Sequence, residues 1–184
     1  MRNMTTALAL GILALSGEAK GQEVAVSAWH VVTSADRLDP SVKTIFARTP
    51  TKTPLEQFGR KVGVNLVVSC GNTYVTSPSI RESRGLGVRL DFSEAVSIGS
   101  RRIRWRVDEN KVDFRTTDFY ADGTVAFLFP VEKYDLAAQM RGGKIMKIEA
   151  DLPWAGTALL EFDIQGASEA FAQVPCGPKS TLRK

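Results

Sequence analysis

One histidine, His30, is all the imidazole in these 184 residues, and that scarcity removes most catalytic and metal chemistry. A zinc centre or a Ser-His-Asp triad would have to be built on it. No Gly-x-Ser-x-Gly elbow accompanies it, and Asp36 and Asp39 downstream do not make a metal-ligand spacing. His30 is therefore read as an ordinary strand histidine. Cysteine is almost as rare: Cys70 and Cys176 are too far apart for a Cys-x-x-Cys redox motif. The carboxylates are too scattered to form a glycosidase pair. Only one apolar run exists, Ala7 to Leu15, well short of the roughly 20 residues a membrane-spanning helix needs. No cysteine directly follows that run, which argues against a lipid anchor. The net charge of +4 is too small to imply nucleic acid. No cofactor or metal is expected.

The start of the chain is more informative. Arg2 precedes the apolar run, and a small-polar stretch ending Ala19-Lys20-Gly21 follows. That is the layout of a secretory signal peptide, with cleavage expected after Gly21. Residues 1–21 are then a leader, 22–176 a single exported domain, and 177–184 a short solvated tail. The remaining chain of about 163 residues carries a charge of about +3 and can bury a sizeable core. Export to the periplasm puts the two cysteines in an oxidising compartment, where one structural disulfide is expected.

Most of the mature chain alternates with period two, the mark of half-buried strands. Trp29 to Thr33, Val42 to Arg48 and Leu86 to Phe92 read this way. Val62 to Ser69 is valine-rich and reads as a strand buried on both faces. Pro50 and Pro54 mark a loop, Gly71-Asn72 a turn leading to a strand at Thr73 to Thr76, and Pro78 to Gly85 another loop. Thr124 to Phe129, Lys144 to Glu149 and Thr157 to Ile164 return to strand character. Tyr134 to Arg141 has helix formers and stops at Gly142-Gly143, and Ser168 is a credible N-cap for a helix over Glu169 to Val174. The pattern predicts a mostly-β sandwich or barrel-like fold of antiparallel sheets, with one or two short C-terminal helices.

The clearest hairpin spans Arg101 to Arg115. Ile103, Trp105 and Val107 share one face and Arg102, Arg104 and Arg106 the other, with Asp108-Glu109-Asn110 as the turn. Val112 and Phe114 are expected to continue the apolar face on the return strand, and Arg115 to lie near the arginines. The arginine stripe is read as a solvated outer face neutralised by Asp113, Glu109 and nearby acids. Its functional alternative is a surface for an anionic partner: lipid headgroups, an acidic protein, or cell-wall polymers. Trp154, in the Leu152-Pro153-Trp154-Ala155-Gly156 turn, is either core or a second element of that surface.

Leu66-Val67-Val68-Ser69-Cys70-Gly71-Asn72-Thr73-Tyr74-Val75 resembles an element of the periplasmic accessory proteins of type VI secretion, the TagO or VasI-like group. Arg104-Trp105 before a charged turn is similar to that group's basic-aromatic strand, and the helix at Tyr134 to Met140 lies where theirs does. Ala158 to Gly166, then Ser168 to Val174 and Cys176, resembles their ending. The resemblance implies this architecture, a Cys70–Cys176 pairing and no catalytic residues. The expectation is a non-enzymatic, soluble periplasmic accessory or binding protein, not an integral membrane protein, whose partner is an envelope or secretion-system protein. An inhibitor or immunity-type protein against a lytic enzyme is the first alternative, and a small envelope hydrolase using His30 the second.

Overall fold

A computed structural model describes residues 21–35, 39, 41, 43–70, 86–96, 99–119, 123–128, 136–152 and 156–175. The expected leader (1–21, but for Gly21), the strand at Thr73 to Thr76, the loop at Pro78 to Gly85, Asp36, Trp154, Cys176 and the tail lie outside the described residues.

The described period-two segments fold as strands, and three further strands were not anticipated, at 22–26, 55–57 and 60–62, the last taking Val62 from the strand expected over Val62 to Ser69. In chain order the strands are β1 (Gln22–Val26), β2 (Trp29–Ala35), β3 (Lys43–Pro50), β4 (Leu55–Gln57), β5 (Arg60–Val62), β6 (Val64–Cys70), β7 (Leu86–Phe92), β8 (Gly99–Val107), β9 (Asp113–Phe119), β10 (Val125–Leu128), β11 (Ile145–Leu152) and β12 (Gly156–Asp163). Ten of them make one antiparallel sheet in the order β1-β2-β3-β6-β7-β10-β9-β8-β11-β12, while β4 and β5 form a separate two-stranded hairpin. The sheet is mostly-β in the manner expected and curls strongly without closing into a barrel. Its last strand returns to its third: Lys52 N donates to Glu161 O at 2.8 Å, and Thr49 Oγ1 donates to Asp163 O at 3.0 Å. Curling lets both halves of the sheet bury one face against each other, with Leu66, Leu90, Ile103, Ile148, Leu160 and Phe162 fully buried between them.

Two short helices follow late in the chain, α1 (Leu136–Gly142) and α2 (Ala167–Ala172). They pack on each other, α1 also on β7 and α2 on β2. The first covers the described part of the expected Tyr134 to Arg141 span and runs one residue further, to Gly142. The second starts earlier than expected, and its N-cap is Gly166 rather than Ser168. Gly166 sits at φ 81°, and a side-chain carbon there would come within 2.5 Å of the Ser27 Cβ in the β1–β2 turn. Close approach to that turn, together with left-handed backbone, sets the helix start there.

The same region holds the main lock between the two ends of the domain. Trp29 is completely buried. Its indole Nε1 donates to Ile164 O at 3.2 Å, and its ring meets Phe171 edge-on with centroids 5.0 Å apart. A strand at the start of the sheet is thereby fastened to the segment between β12 and α2.

Candidate functional site

Alternation in β8 turns Ile103, Trp105 and Val107 into the core and leaves Arg102 and Arg104 exposed, with Arg106 half-buried. The return strand does not follow the expected parity. Register pairs Trp105 with Asp113, Arg104 with Phe114 and Ile103 with Arg115. Cross-strand partners share a face, so Phe114 belongs to the arginine side and Arg115 is placed opposite an inward residue. Phe114 is 66% exposed, and Val112 is also exposed. The cause is the register across the turn, which sets even positions of β9 against even positions of β8; Asp108, at φ 48°, anchors that turn by accepting from the backbone N–H of Lys144 and Ile145. Strand parity restarts across such a loop.

The outer face of β9, β8, β11 and β12 is a mixed surface. Arg104 pairs with Glu149 on β11 at 3.1 Å, and Arg106 with Glu109 in the turn at 3.4 Å. Glu109 is thus one of the neutralising acids expected, Glu149 is an acid of the neighbouring strand β11, and Asp113 is in no ion pair among the described residues. Arg102 has no carboxylate partner among the described residues; its guanidinium carbon lies 5.3 Å from the centre of the Phe114 ring, a cation–π contact. Next to it opens a shallow cleft of about 210 Å³, lined by Arg102, Arg104, Glu149, Asp151 and Thr157. Thr157 Oγ1 donates to Asp151 Oδ1 at 2.9 Å across the β11–β12 pair. Leu159, beside Glu149 in register, is 63% exposed. Further along, Glu161 accepts from Lys52 at 2.8 Å with Lys147 at 3.5 Å, and these cations hold its carboxyl below the usual range, Lys52 first.

The other candidates lie elsewhere. His30 is on the outer face of β2, half-exposed, its Nδ1 3.0 Å from Glu23 Oε1. Arg48 binds the same carboxylate at 3.1 Å and is the main reason that Glu23 titrates below its ordinary range. Asp39 accepts from the Ser41 backbone N–H and hydroxyl, and the carboxylate at the imidazole is that of Glu23. Among the described residues no group of three or more His, Cys, Asp or Glu is arranged to hold a metal, and no helix is long and apolar enough to cross a membrane. Cys70 ends β6 half-buried against the core, and no described cysteine is free.

Two features were not anticipated from the sequence. Arg89 is a buried cation on β7, its side chain 8% exposed, bonded twice to Asp91 at 2.7 and 3.1 Å and to the Ser69 hydroxyl at 3.1 Å. Its signal was available: Arg89 and Asp91 alternate with Val88, Leu90 and Phe92 and so share a face. The other is Phe58 at the tip of β4–β5, 88% exposed.

No family model and no curated protein sequence matches the chain. Among solved structures, the fold is similar to the crystal structure of invasion associated protein B from Bartonella henselae. That match has a TM-score of 0.53 and 18% identity, and covers 83% of this chain and 94% of the other. At that identity the likeness is one of fold.

Proposed function

We propose that this chain is an exported, non-enzymatic binding protein of the periplasm, which engages an acidic envelope protein through the outer face of β8, β9 and β11. The observation that carries this reading is Phe114. A face kept charged only for solubility has no use for an exposed phenylalanine stacked under an arginine that has no carboxylate partner among the described residues. Aromatic residues and arginine are the side chains that concentrate binding energy at protein interfaces. Arg102 and Arg104 supply the bidentate donors, the adjacent cleft accommodates a side chain, and Leu159 extends the apolar contact. Under the resemblance to type VI accessory proteins, the partner is a component of that secretion apparatus.

The test is co-purification of the tagged, exported chain with envelope proteins. Arg104→Glu should weaken partner recovery at least tenfold while shifting stability by no more than about 1 kcal/mol, the like-charge cost opposite Glu149 included. Undiminished recovery would overturn the reading.

Export is supported by the leader pattern, and β1 starts at Gln22, so that cleavage after Gly21 leaves that strand whole. In that compartment Cys70 is expected to be joined to Cys176. Non-reducing peptide mapping should recover the two as one linked species, and Cys70→Ser should cost about 2 to 5 kcal/mol. Titratable thiols in the natively exported protein would contradict the pairing.

A further inference from the structure

The β4–β5 hairpin breaks the rule for its own turn. Gln57 pairs with Arg60, so Phe58 and Gly59 are the loop, with φ of 48° and 75°. Two successive positive φ values in a two-residue loop are those of a type I′ turn, where Asn or Asp before Gly is the usual choice. A phenylalanine there strains the backbone and gains no packing, since it is almost wholly exposed. Among the described residues no atom lies within 4 Å of a side-chain carbon placed on Gly59, and Phe58 beside it is 88% exposed. Leu55 and Val62, paired at the base, are buried in the core and hold the hairpin in place. Arg60 and Lys61 follow the tip, both exposed, Arg60 opposite Gln57 and Lys61 opposite Glu56 in register.

We infer that Phe58 is a peripheral anchor for an anionic lipid surface, with Arg60 and Lys61 pairing to lipid phosphates beside it. A protein pocket that receives a phenylalanine needs a matched rim, with about 800 Å² buried on each partner in an ordinary interface. Around Phe58 the hairpin offers only exposed Glu56, Gly59, Arg60 and Lys61. A bilayer boundary requires no such match: an aromatic ring enters it while flanking cations stay with the headgroups. One ring and two cations make a weak, reversible contact that orients the protein rather than fixing it. This inference is independent of the arginine face.

The test is co-sedimentation of the mature chain with vesicles of equal parts phosphatidylglycerol and phosphatidylcholine. Phe58→Asn should lower partitioning about tenfold, the worth of one buried aromatic side chain. It should also raise the melting temperature, because Asn-Gly suits the turn. The double variant Arg60→Glu/Lys61→Glu should lose about tenfold or more, and wild-type binding should vanish on pure phosphatidylcholine or in high salt. Phe58→Trp should keep binding and show a blue-shifted emission only with anionic vesicles. Equal partitioning of wild type and Phe58→Asn, or no wild-type binding to anionic vesicles, overturns the assignment. A lower melting temperature for Phe58→Asn overturns the strain argument behind it. Loss of an envelope protein with Phe58→Asn and unchanged vesicle binding would give the tip to a protein pocket instead.

Discussion

Trp29→Ala is expected to cost about 3 to 5 kcal/mol in urea unfolding, enough to leave a domain of ordinary stability marginal. Three losses coincide. A completely buried indole leaves a cavity, the edge-on contact with Phe171 disappears, and the Ile164 carbonyl loses the indole donor and keeps only the Ala167 N–H. The last two connect β2 to the segment that enters α2, so the variant should also loosen the C-terminal end. Trp29→Phe separates the terms: it keeps an aromatic ring near Phe171 but not the N–H, and should cost about 1 to 3 kcal/mol. A change under about 1 kcal/mol for Trp29→Ala would mean that the indole is not the lock described.

Trp105→Ala is the second large effect, again about 3 to 5 kcal/mol. Trp105 is 5% exposed and faces Ile148 in the β8–β11 ladder, between two outward arginines. Its neighbour gives the contrast. Arg104→Ala removes one exposed ion pair with Glu149, worth about 1 kcal/mol or less. Adjacent positions with opposite outcomes follow from alternation in a strand with one buried face. Comparable losses at both positions would mean that β8 is not a half-buried strand.

How far the sequence reveals this molecule depends on the range of the interaction. Leu86 to Phe92 and the inward set Ile103, Trp105 and Val107 are legible because a period-two pattern over one buried face is local information. Phe114 is misplaced because alternation assigns faces within a strand and says nothing about register across a turn. The β4–β5 hairpin is invisible for a related reason: only Leu55 and Val62 mark its three-residue strands, and Phe-Gly is not a turn signal. Ser168 looks like a cap on local grounds, but the helix start is set by Gly166 against Ser27, a contact across the whole chain. The arginine stripe was readable as a stripe. That Glu149, Asp151 and Thr157 complete a cleft beside it follows only from the pairing of β8 with β11 and β11 with β12. Long-range pairing of this kind leaves no periodicity to read.

The central claim is that the outer face around Phe114 is where this protein meets its partner. Site-specific photo-crosslinking in intact cells tests it most directly, with the reactive residue placed singly at Phe114, at Leu159 and, as a remote control, at exposed Ser34 on β2. The same crosslinked band should form at Phe114 and Leu159, be absent at Ser34, and fade when Arg104→Glu is added. No band at Phe114, or one equally strong at Ser34 and indifferent to Arg104→Glu, would contradict it.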